Sequence, residues 1–336
     1  MEMEQYDTLT DGDMIAMANE VLTRYLPKHQ GEATLICRSE NATFKVKTAT
    51  EQFALRIHRP DYHNALNIQS ELEWLAALEA QGFVTPAPIA DAQGTKVQHI
   101  RVSDDDLRFA VLFRWIEGDM PTTDIDPEQF EPLGEIMARL HLHSIEWQRP
   151  EWFKRLEWDH ASMLSAEGHW GHWQKVPGLS PQDIETVQHA VDNIATHVHD
   201  YGKEAETYGL IHADLRLTNL LFHKGETRVI DFDDCGEGWF MHDIAAAMSF
   251  YEHYEHMGQW LNSLLQGYQK VRPLPQRDLN MLPIMIMQRR IQLLAWVGSH
   301  QQTEMAKSLG DHWVAETVRL CRDYLDDRWK VLKHAV

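Results

Sequence analysis

The run Tyr208-Gly-Leu-Ile-His-Ala-Asp-Leu-Arg-Leu-Thr-Asn-Leu-Leu-Phe222, followed by Arg228-Val-Ile-Asp-Phe-Asp-Asp234, concentrates the polar chemistry of this chain. His212, Asp214 and Asn219 stand between the apolar pieces Leu210-Ile211 and Leu220-Leu221-Phe222, which places them on a loop joining two short strands. The chain then turns through residues 223–226 into a second strand, Arg228 to Ile230, that delivers Asp231. Such a hairpin gathers Asp214, Asn219 and Asp231 at one end. Carboxylates held that close repel unless a cation joins them. A hard divalent ion is the natural resolution, and Mg2+ accepts one or two carboxylates together with phosphate oxygens.

Outward from this segment, the chain divides in character. Residues 11–26 carry apolar side chains at helical spacing after Thr10, which predicts a capped helix. Strands are expected at 34–37, 43–48, 53–58, 96–102 and 109–116, and a helix over 64–81. Beyond Gly118 come prolines, then a helix at 133–143, and from Pro181 nearly everything reads as helix apart from a β-rich patch at 209–232. Strands segregated from helices argue an α+β chain of two lobes. The expected division is 1–113, a hinge at 114–118, and 119–336.

Among 336 residues, 43% are hydrophobic and the formal net charge is −20, the balance of a globular protein with an acidic surface. Such a surface repels phosphate backbones and anionic lipids, so neither nucleic acid nor membrane is expected as a partner. Cys37, Cys235 and Cys321 show no metal-ligand or redox spacing, and the first residues lack a basic region and apolar run, which together point to the cytoplasm. The most apolar run, Met281 to Met287, is too short to span a bilayer and leads into Arg289-Arg290.

The pattern H-x-D-x-x-x-x-N, an apolar strand and then I-D-F resembles the protein-kinase-like phosphotransferases, nearest the aminoglycoside phosphotransferase branch with its choline kinase and homoserine kinase type II relatives. In kinases that loop reads H-R-D-x-x-x-x-N, and a later D-F-G supplies a metal ligand. Here Ala213 stands for the arginine and Asp231-Phe232-Asp233 for D-F-G, as suits the small-molecule branch. The resemblance implies a bilobal protein-kinase-like fold, ATP and Mg2+ as cofactors, and transfer of the γ-phosphoryl group to a hydroxyl of a small molecule. By resemblance Asp214 is the base, Asn219 and Asp231 ligate Mg2+, His212 and His141 are structural, and Asp243 braces the loop.

The same resemblance assigns nucleotide-holding roles to the first third. Phe53-Ala54-Leu55-Arg56 matches V-A-I-K with Arg56 in place of lysine, a swap that keeps the charge but changes the geometry. Glu71, beside the apolar face of the helix, is preferred to Glu73 as its partner. No G-x-G-x-x-G is present; Arg38 to Thr43 resembles the S-E-N-x-x-F/Y turn, where backbone N–H groups with Ser39 and Asn41 would cradle phosphates. Trp115 and Ile116 fall where a hinge backbone would meet the base. Trp147, Trp152, Trp158, Trp170 and Trp173, with acids nearby, either hold a cationic alcohol or pin an insertion onto the core. A protein Ser/Thr kinase and a non-catalytic nucleotide-binding protein are the alternatives. A missing A-P-E segment lowers the first, and the presence of all three polar positions lowers the second.

Overall fold

The computed structural model describes residues 9–38, 41–121 and 126–329. The chain forms two compact units, residues up to Gly118 with Arg149–Arg155, and residues Asp119–Gln148 with Leu156 onward.

The first unit contains α1 (Asp11–Leu22), β1 (Glu32–Arg38), β2 (Ala42–Lys47), β3 (Gln52–Ile57), α2 (Ala65–Ala80), β4 (Pro88–Ile89), β5 (Gln98–Arg101) and β6 (Leu107–Arg114). Its sheet is antiparallel in the order β1-β2-β3-β6-β4, with β5 also on β6. Alternation fixes its faces. Ala42, Phe44, Val46, Phe53, Leu55 and Ile57 cluster with Met14, Ala18, Val21 and Leu22 of α1. Arg56, between Leu55 and Ile57, is thereby turned to the opposite face, where α2 supplies its partner.

Both helices begin at capping boxes, Thr10 with Asp13 and Asn64 with Asn67, each side chain accepting from the other's backbone N–H. The first helix stops at Leu22, short of the expected 26, because Pro27 lies just ahead and Tyr25 turns into the core. Residues 149–155 join this unit through polar bonds to α2. The Arg155 guanidinium donates to Asn67 O at 2.8 Å, and the Lys154 N–H donates to Ser70 Oγ at 2.9 Å.

The second unit contains α3 (Phe130–Glu146), β7 (Leu156–Trp158), α4 (His160–Leu164), α5 (Pro181–Tyr201), β8 (Tyr208–Ile211), β9 (Leu220–His223), β10 (Glu226–Val229), β11 (Gly236–Trp239), α6 (Phe240–Ala247), α7 (Met257–Val271), α8 (Gln276–Ser299) and α9 (Glu304–Leu325). The expected hairpin is β9–β10. Its two-residue turn, Lys224 at φ +50° and Gly225 at φ +81°, has both residues left-handed, as the twist of a tight hairpin favours. The β-rich patch extends past 232, since β11 pairs antiparallel with β8 and parallel with β7. Among the described residues no helix is long and apolar enough to cross a membrane.

Helices α3 and α7 touch backbone to backbone through two glycines. A Cβ on Gly134 would lie 1.9 Å from Leu264 O, and one on Gly267 would lie 1.9 Å from Glu131 O. Alanine at either position must drive the helices apart, an overpacking cost of about 1–3 kcal/mol. Gly12 in the first turn of α1 is different, since its Cβ would meet only Thr10 Oγ1 at 3.5 Å. Urea unfolding is expected to show Gly134→Ala and Gly267→Ala destabilised by that margin and Gly12→Ala as stable as the parent or more so.

Candidate active site

Strand β8 ends at Ile211 and β9 begins at Leu220, so residues 212–219 form the connection. Its entry is held by one buried carboxylate. Asp243, on α6, accepts from the His212 N–H at 3.0 Å on Oδ2 and from the Ala213 N–H at 2.7 Å on Oδ1. Ala213 has φ +70°, a conformation costly for a residue with a Cβ, and the Asp243 bond holds it there.

The Asp243 carboxylate is itself supported. Burial holds the His141 imidazole below its usual range despite the neighbouring carboxylate, so the ring is neutral. It donates from Nε2 to Asp243 Oδ2 at 3.1 Å and accepts on Nδ1 from the Tyr268 hydroxyl at 2.8 Å, which in turn accepts from Arg272 at 2.8 Å. Burial pushes the Asp243 carboxyl upward, but the hydrogen bonds from His141 and the His212 N–H outweigh it and keep it ionised. These bonds occupy both nitrogens of His141, which leaves the ring no lone pair for a metal. His212 donates from Nε2 to Ile230 O at 3.1 Å, fixing the loop to the chain just before Asp231.

Asp214 and Asn219 meet directly. The Asn219 amide donates both of its hydrogens to Asp214, one to backbone O at 2.9 Å and one to Oδ2 at 3.0 Å. Two facing acceptors fix the amide orientation, since only the NH2 group can satisfy them. The Asn219 side-chain oxygen is thus the atom left to act as a ligand. The Ile230 N–H donates to Asn219 O at 3.0 Å, which sets Asp231 one residue away, exposed and at φ +63°. Asp233 is buried and Asp234 half-buried.

Two cations that the motif does not announce also hold Asp214. Arg289 Nη2 donates to Oδ1 at 2.6 Å, and Arg216 Nε donates to Oδ2 at 3.0 Å. Arg289 belongs to α8 and is buried; the sequence signal for it was the arginine pair that ends an apolar run. Its neighbour Arg290 is taken up by Glu252 at 2.7 Å. Trp158 and Trp173 are core side chains, Trp152 is exposed, and the Trp170 ring centre lies 5.4 Å from the Arg289 guanidinium.

In the first unit Arg56 Nη2 donates to both oxygens of Glu71, at 2.7 and 2.6 Å, with both side chains buried. Glu73, the other candidate, is only half-buried. Asn41 Oδ1 accepts from the Arg59 N–H at 3.0 Å. The Trp115 ring lies 4.5 Å from Lys45 Nζ, and Ile116 is half-buried in a stretch without regular secondary structure. Ser39 lies outside the described residues.

Next to Asp243, His242 is fully buried with neither ring nitrogen hydrogen-bonded. Burial, helped by the Arg289 charge, lowers its pKa from 6.5 to about 3. The unfolded chain therefore takes up a proton below pH 6.5 that the folded chain refuses until about pH 3. Stability is complete above 6.5 and falls on acidification, by about 1.4 kcal/mol per pH unit for one proton. Urea midpoints between pH 6.5 and 4.5 are expected to decline, and His242→Phe should remove one proton's share of that slope. An unchanged slope would contradict the assignment.

Comparison with known proteins bears on what this arrangement is. Residues 38–278 match the profile of the phosphotransferase enzyme family. An amicoumacin kinase of Bacillus subtilis is 24% identical over 64% of this chain, and the match spans 61% of that relative's length. A homoserine kinase of Gluconobacter oxydans is 26% identical over 76% of this chain and 78% of its own. The solved structure of a microcompartment-associated aminopropanol kinase superposes with a TM-score of 0.87 at 36% identity, covering 94% of this chain and 99% of that one. With a protein-kinase-like fold and a family match across most of its length, the chain belongs to the phosphotransferase enzyme family and is a kinase that uses an alcohol group as acceptor.

Proposed function

We propose that the protein transfers the γ-phosphoryl group of ATP to the hydroxyl of a small amino alcohol, with Asp214 as the base. The observation that carries this is the locked Asp214–Asn219 pair, in which one carboxylate is aimed by the same amide whose oxygen is left for a cation. The aminopropanol kinase at 36% identity favours an amino alcohol over the larger acceptors named for the more distant relatives. The −20 net charge is in keeping with a cationic acceptor.

In this proposal the acceptor oxygen attacks the γ-phosphorus as its proton passes to Asp214. The bond from phosphorus to the β–γ bridging oxygen breaks, and ADP leaves with that electron pair. Transfer of this kind asks the protein mainly for positioning and charge neutralisation. Asn219 and Asp231 are the residues that would hold Mg2+. Among the described residues no cluster of three or more His, Cys, Asp and Glu side chains could hold a metal alone. That suits an ion completing its shell with substrate phosphates and water. Mg2+ would neutralise phosphate charge as the transfer proceeds.

Residues 1–113 would serve the nucleotide, with 114–118 as hinge and 119–336 as the transfer and acceptor lobe. The Arg56 guanidinium, fixed by Glu71, would hold phosphate oxygens, with Ser39 and Asn41 at the phosphate turn and the 115–116 backbone at the base. A cytoplasmic setting, where ATP is plentiful, goes with this function.

ADP release should be measured with aminopropanol, homoserine, choline and an aminoglycoside, against a control without acceptor. Aminopropanol is expected to raise it most. Asp214→Asn is expected to cut that turnover about 10²–10⁴-fold while thermal stabilisation by Mg-ATP persists, and unchanged turnover would remove the base. Asp231→Ala should abolish the Mg2+ dependence of ATP binding, and retained dependence would place the metal elsewhere.

A further inference from the structure

The distribution of donors around Asp214 is uneven. A carboxylate offers about four lone-pair positions, two on each oxygen. Oδ2 receives two donors, Arg216 Nε and Asn219 Nδ2, while Oδ1 receives one, Arg289 Nη2. The remaining position is therefore on Oδ1, beside Arg289. That guanidinium is held from three sides. Nε donates to Ser249 Oγ at 3.0 Å, Nη1 to Gln292 Oε1 at 3.1 Å, and the Trp170 ring centre lies 5.4 Å from Cζ. Ser249 and Gln292 are neutral, so Asp214 is the one carboxylate bonded to Arg289 among the described residues.

We propose that Arg289 is a positioning residue for the transfer, which fixes the plane of the Asp214 carboxylate and leaves Oδ1 as the oxygen that receives the acceptor proton. The inference rests on the assignment of Asp214 as base. Its chemistry is the step already written: the acceptor oxygen bonds to phosphorus, ADP departs with the bond pair, and the proton goes to Oδ1. Phosphoryl transfer through a loose transition state asks chiefly for aim, and a guanidinium fixed by Ser249, Gln292 and the Trp170 ring supplies it. An arginine buried only to balance charge would be replaceable by an apolar side chain of similar length without loss of rate.

A double-mutant cycle separates these cases. Arg289→Met, Arg289→Lys and Asp214→Asn, and Arg289→Met combined with Asp214→Asn, are assayed by ADP release from Mg-ATP with aminopropanol and with water alone as acceptor. Thermal stabilisation by Mg-ADP reports folding and nucleotide binding apart from turnover. Arg289→Met is expected to lower kcat about 10–100-fold with the nucleotide KM within about twofold, and Arg289→Lys to recover about tenfold of that. In the Asp214→Asn background the same change should cost nothing further, because the group being positioned is gone. Wild-type kcat in Arg289→Met, or an equal loss in both backgrounds, would overturn the proposal. Full turnover in Asp214→Asn alone would overturn the base assignment instead, which keeps the two failures distinct.

Discussion

The buried Asp243 carboxylate is the constraint on which the site depends. It spends its oxygens on two successive backbone N–H groups, at His212 and Ala213, and on the ring of His141, 102 residues earlier in the chain. A charge with no water around it is tolerated only when its hydrogen bonds are satisfied. That requirement ties α3, α6 and the loop entrance into one unit, with α7 joined through Tyr268 and Arg272. The left-handed turn at Ala213 is maintained by this bonding, and the turn sets the direction in which the chain enters Asp214.

A second layer of order begins where Asp243 ends. His212 ties the loop to Ile230, the Asn219 carbonyl ties the same residue from its N–H side, and Asp231 follows immediately. Arg216 and Asn219 of the same loop, and Arg289 of α8, 75 residues beyond, then fix the Asp214 carboxylate. A side chain with three donors on it loses little further freedom when a substrate arrives. This preorganisation is the kind that phosphoryl transfer rewards.

Much of this was legible in the sequence for a simple reason. His212, Asp214 and Asn219 lie within one short loop, so their spacing alone records their geometry, and the strand alternation around Phe44 and Leu55 forces Arg56 toward α2. Asp243 and His141 were readable only through resemblance, since nothing local says that a helix acid caps a loop of another element. Arg289 was not readable as a partner of Asp214. A helix buried all round has no amphipathic pattern to show which way one arginine points, and only its occurrence among apolar residues marks it. The strands β7 and β11 were invisible for a different reason. Gly236-Glu-Gly-Trp239 holds two glycines and a glutamate, poor strand formers that outweigh its one tryptophan, and its pairing is imposed by β8 and β7 on either side. Likewise, the attachment of 149–155 to α2 runs through backbone groups of Asn67 and Lys154, which leave no trace in composition.

The most direct measurement is a crystal structure of the protein with ADP, Mg2+, aluminium fluoride and aminopropanol, which mimics the phosphoryl group in flight. The account predicts the acceptor hydroxyl within hydrogen-bond distance of Asp214 Oδ1 and in line with the aluminium, with Arg289 still on the same carboxylate. A hydroxyl seated on another residue, or Asp214 turned away from the transferring group, would contradict it.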